Sequence, residues 1–186
     1  MRIISGLLKG KSINFLKNSK TRPLKDSVKE NIFNILKHSK LVNVKLEEAN
    51  ILDLYSGIGS FGIESISRGA DKVVFVEQDE KAANTLNENL IKLAISHKGK
   101  IFNNKIEKIL KNINSEKFNI IFLDPPFADK EFIKVINLIK EKNIYEKKHI
   151  IIIHRERKSK DKLDNFLKII FYKNYGRSKI IFGYFN

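Results

Sequence analysis

The sequence predicts an α/β fold. A mostly parallel, Rossmann-like sheet should carry helices on both faces, an antiparallel last strand and an N-terminal β-hairpin extension. Segments of strand and helix character alternate from residue 50 to residue 154. Two strand segments are apolar where a strand covered on both faces must be, at Ile51, Leu52 and Leu54 and again across 118–123. The first runs into a glycine turn, Gly57-Ile-Gly-Ser-Phe-Gly62, that opens a helix.

Residues 2–16 read as two short strands about a turn marked by Gly6 and Gly10, with Lys9 and Lys11 near its tip. Residues 17–25 are polar and extended, and Pro23 keeps a helix from running back through Arg22. A helix should begin at Asp26 or Ser27. There Ser27 and Glu30 have the form of a capping box, and Val28, Ile32, Ile35 and Leu36 share one face. After a polar connection come a strand over 50–55, a helix over 60–68 stopped by Gly69, and a strand over 72–77. The next helix is capped by Asp79 and carries Ala83, Leu86, Leu90 and Leu93 on one side. A short strand at 100–103 and a weak helix at 106–112 precede a strand at 118–124, a helix over 129–142 and a strand over 148–154. Beyond it lie a short helical piece at 160–167 and two strands, 167–172 and 179–185, joined through 174–178. With 186 residues, we expect a basic extension over 1–25 and one Rossmann-like domain over 26–186.

The net charge of +15 is unevenly placed. Residues 1–40 hold ten Lys/Arg against two acids, and residues 147–186 hold eleven against three, a surplus of eight in each. The stretch between them is nearly neutral, with fifteen against sixteen. Codon bias would spread the surplus evenly, so two basic ends point to a polyanionic partner, nucleic acid above all. There are no cysteines, which excludes disulfides, thiolate metal sites and cysteine nucleophiles. The longest aliphatic run, 150–153, is far below a membrane span, and the opening residues lack a signal h-region. A cytoplasmic monomer without a membrane partner is expected. No metal is expected either, because the four histidines show no ligand spacing.

The glycine turn satisfies the dinucleotide fingerprint, so NAD and S-adenosylmethionine both enter. Glu77 ends the second strand 20 residues after Gly57, placed to accept from ribose hydroxyls in either case. Asp53, inside the strand, is awkward beside a pyrophosphate but suits the cationic end of a sulfonium. A dehydrogenase would also need a substrate domain for which the chain has no room. Asp124-Pro-Pro-Phe127, directly after a strand, decides for S-adenosylmethionine. An exocyclic base amine is a poor nucleophile whose N–H groups need acceptors, and the Asp124 carboxylate and Pro125 carbonyl can each take one. Pro125 and Pro126 fix the backbone, and Phe127 offers a flat face to an extruded base. His154, at a strand end, reads as structural or RNA-facing rather than catalytic.

These motifs give the chain a resemblance to the bacterial 16S rRNA guanine-N2 methyltransferases, over nearly its whole length. It is carried by Arg2-Ile-Ile-Ser-Gly, by Thr21-Arg-Pro with Asp26, Val28, Glu30 and Phe33-Asn34, and by Leu52-Asp-Leu-Tyr-Ser-Gly-Ile-Gly. Ser67-Arg-Gly-Ala70, Phe75-Val-Glu77 and Phe122-Leu-Asp-Pro-Pro-Phe127 complete it. The resemblance implies a class I methyltransferase fold, S-adenosylmethionine as donor, and 16S rRNA in the 30S subunit or a late assembly intermediate as substrate. The cofactor contacts are expected at Asp53, Tyr55, Ser56, Gly57, Gly59, Glu77 and Gln78, and the RNA contacts at Arg2, Lys9, Lys11, Thr21 and Arg22. Lys105 stands where the family has an acid for the adenine amino group, so Asn104 or Asn103 is expected to serve through its carbonyl. The residues alone leave open an N6-adenine DNA methyltransferase and a non-catalytic RNA-binding assembly factor.

Overall fold

The structure, a computed structural model, describes residues 1–16, 24–113 and 116–186. Thr21 and Arg22 lie outside them. Among the described residues seven strands form one sheet: β1 (Asn50–Leu54), β2 (Lys72–Glu77), β3 (Gly99–Asn103), β4 (Phe118–Leu123), β5 (Tyr145–Glu156), β6 (Lys168–Tyr175) and β7 (Ser178–Tyr184). Five α-helices among the described residues accompany them: α1 (Asp26–His38), α2 (Ser60–Ser67), α3 (Glu80–Lys92), α4 (Ile106–Asn112) and α5 (Phe132–Lys142). The strand order is β3-β2-β1-β4-β5-β7-β6. β1 to β5 run parallel, and β7 lies antiparallel between β5 and β6. The order reverses between β1 and β4, and Leu54 pairs with both Val76 and Leu123, so the carboxyl ends of β1, β2 and β4 are level. Ligands of open α/β sheets bind at that switch point.

Each face of the sheet has its own core. One gathers Val28, Ile32 and Phe33 of α1 with Phe61, Leu86, Ile152, Ile180 and Phe182. The other gathers Leu52, Leu54, Ile121 and Leu123 with Ile106 of α4 and Val135, Ile136 and Ile139 of α5. The alternation of partners along β1 and β4 follows from the two-residue period of a strand.

Several boundaries differ from the sequence reading. α1 starts at Asp26 with Lys25 at the N-cap position and no side-chain cap, so Ser27 sits inside the first turn and the capping box does not form. α5 begins at Phe132, because Asp129 closes a turn first: its amide bonds the Pro126 carbonyl (2.8 Å) and its carboxylate accepts from the Glu131 amide (2.7 Å). Residues 160–167 are irregular, with a turn over 164–166, rather than a helix. Side-chain bonds to β5 and β7 claim that stretch, Asp161 to Arg155 and the Ser159 carbonyl to Lys179. β5 is longer than expected, since it is paired on both edges.

At the N-terminus, antiparallel pairing is confined to one bridge, Arg2 with Ser12, flanked by the bonds Ile3 N–H to Lys11 O and Ile13 N–H to Met1 O. Ile3 and Ile13 enter the core. The segment is fastened to α2 by a buried carboxylate: Glu64 accepts from the amides of Ile4 (2.8 Å) and Ser5 (3.0 Å) and from Arg68 Nε (2.7 Å). Buried Lys29 approaches the same carboxylate at 3.7 Å. A charge this deep is tolerated because every side of it is paired. Gly6 crosses α2 so closely, at φ +83°, that a Cβ would fall 1.8 Å from the Ser67 carbonyl oxygen. Only glycine fits there. Among the described residues no helix is long and apolar enough to cross a membrane.

Candidate active site

A cavity of about 570 Å³ opens at the carboxyl ends of β1, β2 and β4. Asp53, Tyr55, Ser56, Gly57, Glu77 and Gln78 line one part of it, and Asp124, Pro125, Pro126 and Phe127 another. Two residues expected at the cofactor lie apart from its wall. Gly59 turns toward α3, where a Cβ would meet Leu86 Cδ1 at 2.3 Å. Asn104 spends its side-chain carbonyl on the Lys105 amide (2.9 Å), and Asn103 donates to the Glu77 carbonyl (2.9 Å). Ile106 and Glu107 occupy that side of the cavity instead. Arg2, Lys9 and Lys11 are exposed on the N-terminal loop, outside the cavity.

The loop leaving β1 is fixed by two carboxylates. Glu77 accepts from the Gly57 amide (2.7 Å) with one oxygen and from the Asp79 amide (2.8 Å) with the other, tying the loop to the start of α3. Asp53 is buried and accepts from the Gly62 amide (3.0 Å). Burial raises its pKa well above the ordinary carboxylate value; the Gly62 bond opposes that shift, and the nearby Asp124 and Glu77 add to it. Tyr55, Gly57 and Gly59 all have positive φ, at 59°, 54° and 83°. Tyr55 is the non-glycine among them, a strained conformation of the kind that gathers at binding loops. Burial and the Asp129 carboxylate both push its phenol pKa up.

This half of the cavity fits S-adenosylmethionine. The Ser56 hydroxyl is buried and has no partner among the described residues. The space beyond the Gly57 Cα is open, so a ligand can approach the backbone there. Glu77 stands at the strand end where ribose hydroxyls would be held, and the buried Asp53 faces the same interior.

Side chains from β5 hold the other half. Arg155, 1% exposed, donates to the carbonyls of Pro126 (3.0 Å), Phe127 (3.2 Å) and Asp129 (3.0 Å). Asp161 balances its charge at 2.9 Å, and its guanidinium lies over the Phe132 ring at 4.3 Å. Those bonds leave the Pro125 carbonyl without a hydrogen bond among the described residues. Its neighbour His154 places Nδ1 2.7 Å from Asp124 and Nε2 2.9 Å from the Ser178 hydroxyl. Against an ionised Asp124, Nδ1 is the donor, and in a neutral imidazole Nε2 then accepts from Ser178. The imidazole also meets the Phe127 ring edge-on, with 5.5 Å between centroids.

Arg155 and Ser178 were not singled out in the sequence, and His154, read there as structural or RNA-facing rather than catalytic, holds the Asp124 carboxylate. None stands in a motif of its own. Arg155 falls just past the strand that the sequence predicts over 148–154, among His154, Glu156 and Arg157, where nothing marks it as buried.

A protein-family model described as "Conserved hypothetical protein 95" matches residues 1–184. Ribosomal RNA small subunit methyltransferase D of Haemophilus influenzae is 35% identical over 159 residues, which is 84% of this chain and 79% of that one. The chain belongs to this family of ribosomal RNA small subunit methyltransferases. A second relative, YlbH of Bacillus subtilis, is 34% identical over 159 residues, 84% of this chain and 83% of its own. Among solved structures, yhhF of Escherichia coli superposes with a TM-score of 0.85 at 24% identity, covering 100% of this chain and 98% of that one. That likeness shows the methyltransferase family's fold over the full length of the chain.

Proposed function

We propose that the protein transfers a methyl group from S-adenosylmethionine to the exocyclic N2 of one guanine in 16S rRNA. It acts on the 30S subunit or a late assembly intermediate, in the cytoplasm and as a monomer. The observation that carries this reading is the pair of acceptors at the β4 end, the Asp124 carboxylate and the Pro125 carbonyl, in the same cavity as Asp53 and Glu77. Relatives named as small-subunit rRNA methyltransferases support the choice of RNA. The resemblance to the guanine-N2 enzymes supports the choice of base.

When bound, the cofactor supplies an electrophilic methyl on a sulfonium. Glu77 accepts from its ribose, while the backbone at Gly57 admits close approach. Asp124 and the Pro125 carbonyl take the two N–H groups of the target amine, which turns the nitrogen's lone pair toward the methyl and relieves positive charge as it develops. Phe127, exposed at the cavity, gives the extruded base a face to stack on. His154 keeps one Asp124 oxygen engaged so that the other serves the amine, and Arg155 holds the loop against movement.

The test uses methyl-labelled S-adenosylmethionine and 30S subunits from a strain lacking the modification. We expect label in 16S rRNA, recovered as N2-methylguanosine after nuclease digestion and mass spectrometry. Label in adenine of DNA, or RNA binding with no cofactor binding by calorimetry, would replace this reading with one of the alternatives.

A further inference from the structure

The two basic ends of the chain meet at the mouth of the cavity. Lys25, the N-cap residue of α1, and Arg177, in the turn between β6 and β7, both line it, and both side chains are exposed. Their backbones are fixed: the Lys25 carbonyl accepts from the Lys29 amide (2.9 Å) and the Arg177 carbonyl from the Arg157 amide (2.7 Å). Among the described residues Lys25 forms no ion pair, and the Arg177 head is weakly held. The Arg177 side chain is 77% exposed, and its nearest acid, Glu156, is reached only at 3.4 Å. Such a contact is worth little in water and yields to a better anion.

The charge around the cavity is segregated by depth and by side. Asp53 and Glu77 are buried inside it, at 1% and 8% exposed. At the surface the exposed acid is Glu107 of α4, on the face of the sheet whose core includes α4 and α5. Lys25 adjoins α1, on the other face, whose core also takes Ile180 and Phe182 of β7. An acidic interior suits a cationic cofactor, and a cationic rim on one side suits an anion that stays outside. A nucleotide extruded into the cavity leaves its flanking phosphates at the mouth. We infer that Lys25 and Arg177 bind the RNA phosphates on either side of the target guanosine, so that the strand crosses the mouth along the α1 side and away from Glu107. This rests on the reading of the protein as an rRNA methyltransferase.

The experiment measures methyl transfer to unmodified 30S subunits across a potassium chloride series, for wild type, Lys25→Ala, Arg177→Ala, the double variant and Arg177→Lys. Lys140→Ala, on an exposed position of α5, is the control. Each alanine should raise KM for 30S several-fold, leave kcat and the calorimetric affinity for S-adenosylmethionine unchanged, and reduce the slope of log kcat/KM against log salt by about 0.7. The double variant should lose about twice that, Arg177→Lys should regain most of it, and Lys140→Ala should match wild type. Salt slopes that stay at the wild-type value while wild type methylates 16S rRNA overturn the rim assignment and leave the function standing. A fall in cofactor affinity or kcat instead places these residues in the chemistry and overturns it as well. A wild type that transfers no methyl to 16S rRNA overturns the functional reading, and the rim with it.

Discussion

The loop leaving β1 is shaped from within, whereas the loop leaving β4 is held from outside. The first consists of backbone in left-handed conformations at Tyr55, Gly57 and Gly59, tied by carboxylates at the ends of its own strand and the next. The second is stiffened by Pro125 and Pro126 but kept in place by Arg155 and His154, about thirty residues further along the chain. Glycines and prolines impose conformation locally and are visible in the sequence; a guanidinium that reaches three carbonyls is visible only once β5 lies beside β4.

Removing Asp124 sharpens the contrast most. Asp124→Ala should lower kcat by about 10³-fold while calorimetry gives a near wild-type affinity for S-adenosylmethionine, since the cofactor loop keeps its own ties. Equal loss of both would mean that the two loops are one unit. Arg155→Met keeps an apolar stem but takes the guanidinium from over Phe132, frees three carbonyls and strands Asp161. It should lower kcat by about 10²-fold through misplacement of the acceptors and cost about 3 kcal/mol in denaturant unfolding. Normal turnover in a destabilised protein would show that the prolines suffice.

The glycines separate shape from space. Gly59→Ala drives a Cβ into Leu86 at φ +83° and should cost about 2 kcal/mol of stability. Gly57→Ala meets open space at φ +54°, so it should cost about 1 kcal/mol and register mainly as weaker cofactor binding. Thermal melts with and without S-adenosylmethionine distinguish them.

Asp53 supplies the smallest effect. Burial holds its folded pKa above the unfolded value of about 4, so the folded state binds more protons. Stability therefore falls as pH rises through the interval between the two values, and the loss is complete above it. Asp53→Asn retains an acceptor for the Gly62 amide. It should stabilise the protein at pH 7 by on the order of 1 kcal/mol, flatten the decline above pH 4, and weaken cofactor binding. Melting curves at several pH values check the sign; an Asn variant less stable at pH 7 would show that the Gly62 bond outweighs the desolvation.

Much of the fold was legible because strands covered on both faces and helices covered on one leave apolar periods behind, as at Ile51 to Leu54 and at Leu86 and Leu90. Asp53, Glu77 and Asp124-Pro-Pro-Phe could be expected near one another because each lies at or close to the carboxyl end of a strand, and parallel strand ends converge; all of them line one cavity. Ser27 misled because a capping pattern of letters does not fix where the chain enters the helix, and here it enters two residues earlier than that pattern needs. Asn104 was expected at the cofactor by alignment with an acid, but its carbonyl is spent on its neighbour's amide. Glu64 and Lys29 stand in no motif that the sequence singles out. Only the docked N-terminal segment turns their surroundings into an interior.

The fastening of that segment also bears on the order in which the molecule completes itself. The amides of Ile4 and Ser5 wait for a carboxylate some sixty residues further along. At about 5–20 residues per second of synthesis, several seconds pass between the making of the segment and the making of its anchor. A nascent chain halted before Glu64 therefore presents the loop bearing Arg2, Lys9 and Lys11 unattached and open to proteases. Once α2 has formed, the same loop is locked down by bonds it did not bring with it.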